Sequence, residues 1–130
     1  MKRLFNFIAN VGELKGRERR GWIIHQINNS ETTAEHTYHL AFLVWILGRE
    51  KKGLDIDKMI KMALAHDICE VYAKDLTPYD PLLPEDDPEK AKEILKRWPE
   101  FTAEMKVEKE KEKREMEERG LEKLIASLPE

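Results

Sequence analysis

The 130-residue chain holds one cysteine, Cys69, so no internal disulfide can staple the fold, and a lone thiol suits a reducing cytoplasm. No apolar run approaches the ~18 residues that a membrane span needs. Charge of one sign is missing too. Asp and Glu number 26 against 23 Lys and Arg, for a net charge of -3, and without a basic excess there is no electrostatic footprint for nucleic acid. Strand signals are almost absent, and the apolar residues recur at helical spacing instead. The opening Met1-Lys2-Arg3-Leu4-Phe5 starts like a secretion signal but soon meets Asn6, Asn10 and Glu13; it is expected to be an amphipathic helix. What remains is a single all-α domain over residues 1–130, long enough to bury a core.

What the chain has in quantity is charge, 38% of its residues where about a quarter is usual; Glu and Lys dominate, a bias seen in thermophilic proteins. Residues 3–14 predict a helix with Leu4, Phe7, Ile8 and Val11 on one face. A charged loop from Lys15 to Gly21 then delivers Trp22. Thr32 with Glu35 three residues on is a capping box, and the helix it opens runs to about Leu47 with Leu40, Leu43, Val44 and Leu47 as the expected buried stripe. Asp55 or Asp57 caps the next helix, whose stripe is Met59, Ile60, Ala63, Leu64 and Val71. Pro78, Pro81, Pro84 and Pro88 make residues 75–88 a loop. Residues 89–119 are expected to form one long helix, solvated and laced with i,i+4 charge pairs from Lys106 to Arg119. Gly120 is its expected C-cap, and Leu121–Leu128 the start of another helix.

Of the four histidines, His25, His36, His39 and His66, only His66 is followed by an aspartate, Asp67, within the apolar pattern Met62-Ala63-Leu64-Ala65-His66-Asp67-Ile68. A carboxylate beside a buried helix face is costly unless it is paired or holds a metal. Consecutive helical positions stand about 100° apart, so both side chains reach one ion only if it lies above the ridge between them. Imidazole with carboxylate suits Mn, Fe, Co or Zn better than a thiolate-seeking metal. His36, on the same side of its helix as Leu40, Leu43 and Leu47, is the candidate third ligand; the alternative is a core histidine bonded to a backbone carbonyl. His39 is more simply a packed or hydrogen-bonding residue. Glu70, i+4 from His66 and i+3 from Asp67, places a further carboxylate on that side, suited to orienting or deprotonating a metal-bound water or to protonating a leaving group. Asp75 is either part of the site or a turn residue ahead of Pro78.

These segments together, Arg20-Gly21-Trp22, Glu31-Thr32-Thr33-Ala34-Glu35-His36, Ala65-His66-Asp67-Ile68-Cys69-Glu70 and Lys74-Asp75-Leu76-Thr77-Pro78, resemble the HD-domain superfamily of metal-dependent phosphohydrolases, most closely its 5'-deoxynucleotidase branch. The resemblance covers roughly residues 3 to 80 and continues more weakly to 130. It implies an HD-domain helical bundle that dimerises and cleaves deoxyribonucleoside 5'-monophosphates, a small-molecule substrate. A divalent metal (Mn, Co, Mg, Fe or Zn) would be held by His36, His66 and Asp67. Glu70 and Asp75 match catalytic acidic positions, with Asp75 also near substrate. Arg20 matches a phosphate-binding position, apt for a guanidinium, and Trp22 lies where sugar or base packs. The family completes its metal site with a second aspartate far beyond the His-Asp pair, whereas this sequence has no aspartate after Asp87. Ser127-Leu128-Pro129-Glu130 resembles the approach to that segment, which leads to the expectation of a C-terminally truncated domain. Hydrolysis of another phosphate ester or pyrophosphate, or a non-catalytic helical interaction module, are the alternative functions, and a helical scaffold with purely structural histidines is the plainest one.

Overall fold

The chain is described by a computed structural model over residues 1–84, 86–97 and 99–128. Among these residues it forms six α-helices and no strand: α1 Lys2–Gly12, α2 Arg20–Ile24, α3 Thr33–Gly48, α4 Ile56–Ala65, α5 Pro88–Lys96 and α6 Ala103–Ile125. Short 3-10 turns cover Glu13–Gly16, Ile68–Val71 and Asp80–Leu82. The all-α expectation holds, and no described helix is long and apolar enough to cross a membrane.

The capping box opens α3 as expected. Thr32 Oγ1 accepts from the Glu35 amide at 3.2 Å, and the Glu35 carboxylate accepts from the Thr32 amide at 2.8 Å, which satisfies two orphan donors at once. Asp55 caps α4 through the Lys58 amide at 3.0 Å. The chain between α1 and α3 is pinned by an isolated antiparallel bridge between Glu18 and Thr32. That bridge draws residues 17–19 out into an extended strand-like segment, where side chains alternate in direction.

The core is small. Leu14, Val71 and Leu124 are buried at its centre, with Phe7, Val11, Ala34 and Ile68 packed against them. Leu124, on the last turn of α6, is 1% exposed, so α6 closes the bundle over the turn Ile68–Val71. Part of each predicted stripe faces outward instead: Leu4 and Ile8 on α1, Leu43 and Leu47 on α3, and Leu64 on α4 are exposed. The reason is that α3 is apolar on nearly every face, while α4 covers only one of them; such a helix needs more than one partner.

The region 89–119 is not one helix. It divides into α5 and α6, parted at Pro99, with Thr102 capping α6 by accepting from the Met105 amide at 3.2 Å. Gly120 is not a C-cap either, since α6 runs through it to Ile125. Gly120 is buried, and a Cβ there would meet the Cys69 carbonyl oxygen at 2.8 Å and Ala73 Cβ at 3.2 Å. The glycine is needed for close approach of two backbones rather than for a turn. Gly120→Val is therefore expected to cost about 1–3 kcal/mol through overpacking; a thermal melt unchanged from that of the parent chain would show that α6 does not seat there.

Candidate metal centre

The helix carrying the His-Asp pair stops sooner than expected. α4 ends at Ala65, His66 is its C-cap, and Asp67 has left helical geometry at φ -107 and ψ 14. Glu70 consequently reaches the site from a 3-10 turn and not from the same helix face. Leaving the helix frees consecutive residues from their 100° separation and lets Asp67 Oδ2 turn back to 2.9 Å from His66 Nε2.

Each histidine is oriented through its other nitrogen. His66 Nδ1 lies 2.7 Å from the Ala63 carbonyl oxygen, which can only accept, so Nδ1 donates there and, in the neutral ring, Nε2 is the nitrogen left with a lone pair for an ion. His36 sits in the first turn of α3, with Nδ1 3.4 Å from Glu31 Oε2 and Nε2 4.0 Å from Asp67 Oδ2. The two imidazole centroids are 5.3 Å apart. One ligand atom from each of His36, His66 and Asp67 falls within 4.8 Å of the others. Donors around one ion at ~2.0–2.2 Å stand about 3–4 Å apart, so a small side-chain adjustment brings all three onto it. Two neutral imidazole nitrogens and a carboxylate oxygen, with both rings held from behind, fit a divalent ion of the Mn, Fe, Co or Zn type. Cys69 does not belong to the set; it is buried, and burial pushes its thiol up to about 11.

A guanidinium stands against this group, and it belongs to Arg19. Arg19 Nη1 is 2.6 Å from Asp67 Oδ2 and 3.4 Å from Glu70 Oε1, while Nε is 3.8 Å from Asp75 Oδ2. One cation thus balances three carboxylates in a half-buried cluster. Arg20 points elsewhere: its Nε pairs with Asp80 Oδ1 at 2.5 Å, and its backbone amide donates to Asp75 Oδ2 at 2.9 Å. Asp75 is thereby a loop anchor at the N-terminus of α2 as well as a neighbour of Arg19. Asp80 also accepts from the Thr77 amide and hydroxyl at 2.7 and 2.8 Å. A cavity of about 980 Å³ opens beside the cluster, lined by Arg17, Arg20, Ile24, Glu70, Asp75 and Asp80 among others. His36, His66 and Asp67 do not line it, and neither does Trp22, which is 40% exposed on α2. His39 is exposed and bonds Glu31 Oε1 at 3.1 Å.

Three contributors were not singled out from sequence. Arg19 is one; the alternation Arg17, Glu18, Arg19 in an extended segment was the available signal, with Arg17 bonding the Val71 carbonyl on the same inward side at 3.1 Å. Glu31, which bonds His39 and stands 3.4 Å from His36 Nδ1, is the second. Thr33 is the third: fully buried, it donates from Oγ1 to Glu70 Oε2 at 2.8 Å.

Glu70 itself is only 5% exposed. Burial, foremost, pushes its carboxyl above the ordinary value, the nearby Asp67 and Asp75 add to this, and the Thr33 hydrogen bond and Arg19 oppose it. A carboxyl raised in the folded state favours folding most below its unfolded value of 4.5, and that advantage is lost as pH rises through the folded value. At neutral pH the ionised form is therefore the strained one. With chelator present, Glu70→Gln is expected to melt no lower than the parent chain at pH 7, the difference shrinking as pH falls through the raised folded value toward 4.5 and Glu70 protonates. A marked loss of stability at pH 7 would contradict this.

Residues 11–130 match the family described as HD domain. The chain belongs to the HD domain family. Among HD-domain relatives, 5'-deoxynucleotidase HDDC2 of Xenopus laevis is 32% identical over 135 residues, covering 88% of this chain and 66% of the frog protein. Its human counterpart is 28% identical, covering 72% of this chain and 45% of that protein. The chain thus spans less than two thirds of the length of these relatives. A solved structure of a conserved hypothetical protein from Pyrococcus furiosus, 34% identical, superposes with a TM-score of 0.55 over 72% of this chain and 61% of that one.

Proposed function

We propose that the chain is a metal-dependent 5'-deoxynucleotidase, hydrolysing deoxyribonucleoside 5'-monophosphates to nucleoside and phosphate. The observation that carries this reading is the convergence of His36, His66 and Asp67 directly against Arg19 and Glu70, in a chain similar over most of its length to relatives named 5'-deoxynucleotidase. A divalent ion bound there would supply Lewis acidity toward phosphoryl oxygens and water. Arg19, presenting several N–H donors, would grip the phosphate and offset charge gathering on its oxygens as the P–O bond breaks. Glu70, held by Thr33, would take the proton from the attacking water. Asp75 would keep the loop after it registered on α2, and Arg20 would hold that loop through Asp80. The neighbouring cavity is roomy enough for sugar and base, and the exposed Trp22 ring is free to pack on them from outside it.

The test is a panel of phosphate esters with Mn, Co or Mg added. Phosphate release from dAMP or dGMP with little action on cyclic diesters or pyrophosphates is expected; the reverse preference would point to another phosphoester. A second reading has its own observation. Arg19 already neutralises Asp67 at 2.6 Å, as it would in a chain that keeps the cluster purely as a structural charge network. Tight metal binding by the purified chain rules that out.

We further propose that it acts in the cytoplasm as a homodimer. On α3 the rings of Tyr38, Phe42 and Trp45 form a contiguous run, exposed at 64%, 49% and 53%, and a patch of that kind marks a protein contact. Sedimentation should report twice the chain mass, falling to the monomer in Phe42→Glu; a monomeric parent chain would refute the dimer.

A further inference from the structure

Away from the metal centre, a second cavity of about 600 Å³ lies between the loop Leu76–Pro81 and α6. That volume is within the ~300–1,000 Å³ range of small-molecule sites. Its walls are mainly apolar. Tyr79 and Phe101 contribute an aromatic pair, centroids 5.4 Å apart and tilted by 50°, and Met105 and Met116 of α6 also line it. Met105 is 40% exposed, although an apolar side chain lining a cavity is better covered. Thioethers and aromatic rings together suit the face of a planar ring.

The charged groups at this cavity are four cations and three carboxylates. Lys106, Lys109, Lys113 and Arg119 line it, with Glu110, Glu112 and Asp80 as the carboxylates. Asp80 is committed to Arg20 at 2.5 Å, and Lys109 to Glu112 at 2.8 Å. Lys113 has only a looser pairing with Glu117 at 3.6 Å, and Lys106 and Arg119 have no ion pair among the described residues. Lys106 and Lys113 are seven positions apart, on one side of α6 and about 10 Å along its axis, a spacing that a chain of phosphates can follow.

We propose that this cavity is a second nucleotide site, binding a nucleoside polyphosphate with its base against Tyr79, Phe101 and the two methionines and its phosphates along Lys106 and Lys113. Neither half suffices alone: the apolar floor has nothing specific for an anion, and the lysines lie on an otherwise charge-balanced helix. Leu76, Asp80 and Pro81 line both this cavity and the one beside the carboxylate cluster. An occupant would therefore touch the back of the loop that Asp75 and Arg20 anchor. Binding here does not depend on the chain being a phosphohydrolase.

The chain supplies its own reporters. Its five methionines are Met1, Met59, Met62, Met105 and Met116, of which two line the cavity. With methionine methyl groups labelled with carbon-13 and no added metal, titration with ATP should shift Met105 and Met116 saturably and leave Met1, Met59 and Met62 in place. Adenosine and inorganic triphosphate should each bind at least about tenfold more weakly than ATP. The double variant Lys106→Ala/Lys113→Ala, exposed positions outside the other cavity, should weaken ATP by about tenfold or more, equivalent to ~1.4 kcal/mol. The proposal fails if Met105 and Met116 stay still at millimolar ATP. It fails equally if adenosine or triphosphate alone matches ATP, or if the double variant, with its helix content intact by circular dichroism, binds ATP as the parent does.

Discussion

Arg19→Ala is expected to lower kcat/KM on a deoxynucleoside 5'-monophosphate by about 10²–10³-fold, the usual loss when a donor to a developing oxyanion is removed. Arg20→Ala should cost about tenfold or less, ~1.4 kcal/mol, because its guanidinium is spent on Asp80 at 2.5 Å and acts on the loop. The difference follows from backbone geometry. Residues 17–19 run extended beside Thr32, which sends Arg19 inward, whereas Arg20 begins α2 and turns toward Asp80. Arg19→Lys should recover only part of the loss, since an ammonium cannot span Asp67, Glu70 and phosphate as a planar fork can. Arg19→Ala should also lower the melting temperature, because Asp67, Glu70 and Asp75 would be left without their shared cation. Steady-state kinetics on the two alanine variants decide the matter: equal losses, or a larger loss at Arg20, would overturn the assignment of the phosphate to Arg19.

The other large effect concerns the ligands. His66→Ala and Asp67→Ala should each remove high-affinity divalent metal and cut phosphate release by about 10³-fold or more. His66→Ala removes a ring that the Ala63 carbonyl orients at 2.7 Å, and among the described residues only His36 and Asp67 stand in the group with it. Asp67 contributes the oxygen that lies 2.9 Å from His66 Nε2 and 4.0 Å from His36 Nε2, so its loss separates the two halves of the site. His39→Ala, at an exposed position bonded to Glu31, serves as the control and should leave both properties near the parent values. Metal analysis after dialysis, run beside the phosphate assay, checks this. Full metal content in Asp67→Ala would mean that the ion, if bound, sits elsewhere.

Much of this was legible in the residues, for reasons that differ from place to place. The start of α3 was readable because a capping box is a local device, complete within Thr32 to Glu35. The grouping of His36 with His66 and Asp67 could be anticipated because neighbouring antiparallel helices bring such positions together. Where α4 ends was less accessible: apolar spacing continues through Ile68 and Val71, yet the chain passes into a 3-10 turn after Asp67. Gly120 misled because a glycine late in a charged helix has the same local signature whether it ends the helix or lets it approach Cys69 and Ala73. That distinction exists only in the packed molecule. That Arg19 faces Asp67 and Glu70 while Arg20 faces Asp80 depends on a single long-range bridge, invisible to helical periodicity. The outward-facing Leu43, Leu47 and Leu64 mark a further limit, since a stripe shows which residues seek cover but not how many faces find it.

Phosphate release from dAMP, followed as Mn or Co is titrated into the metal-stripped chain, tests the central claim most directly. Release should rise with bound metal and level off at one ion per chain, the single group formed by His36, His66 and Asp67 among the described residues. Metal that binds at those residues while dAMP stays intact, or hydrolysis that proceeds equally well in excess chelator, would contradict it.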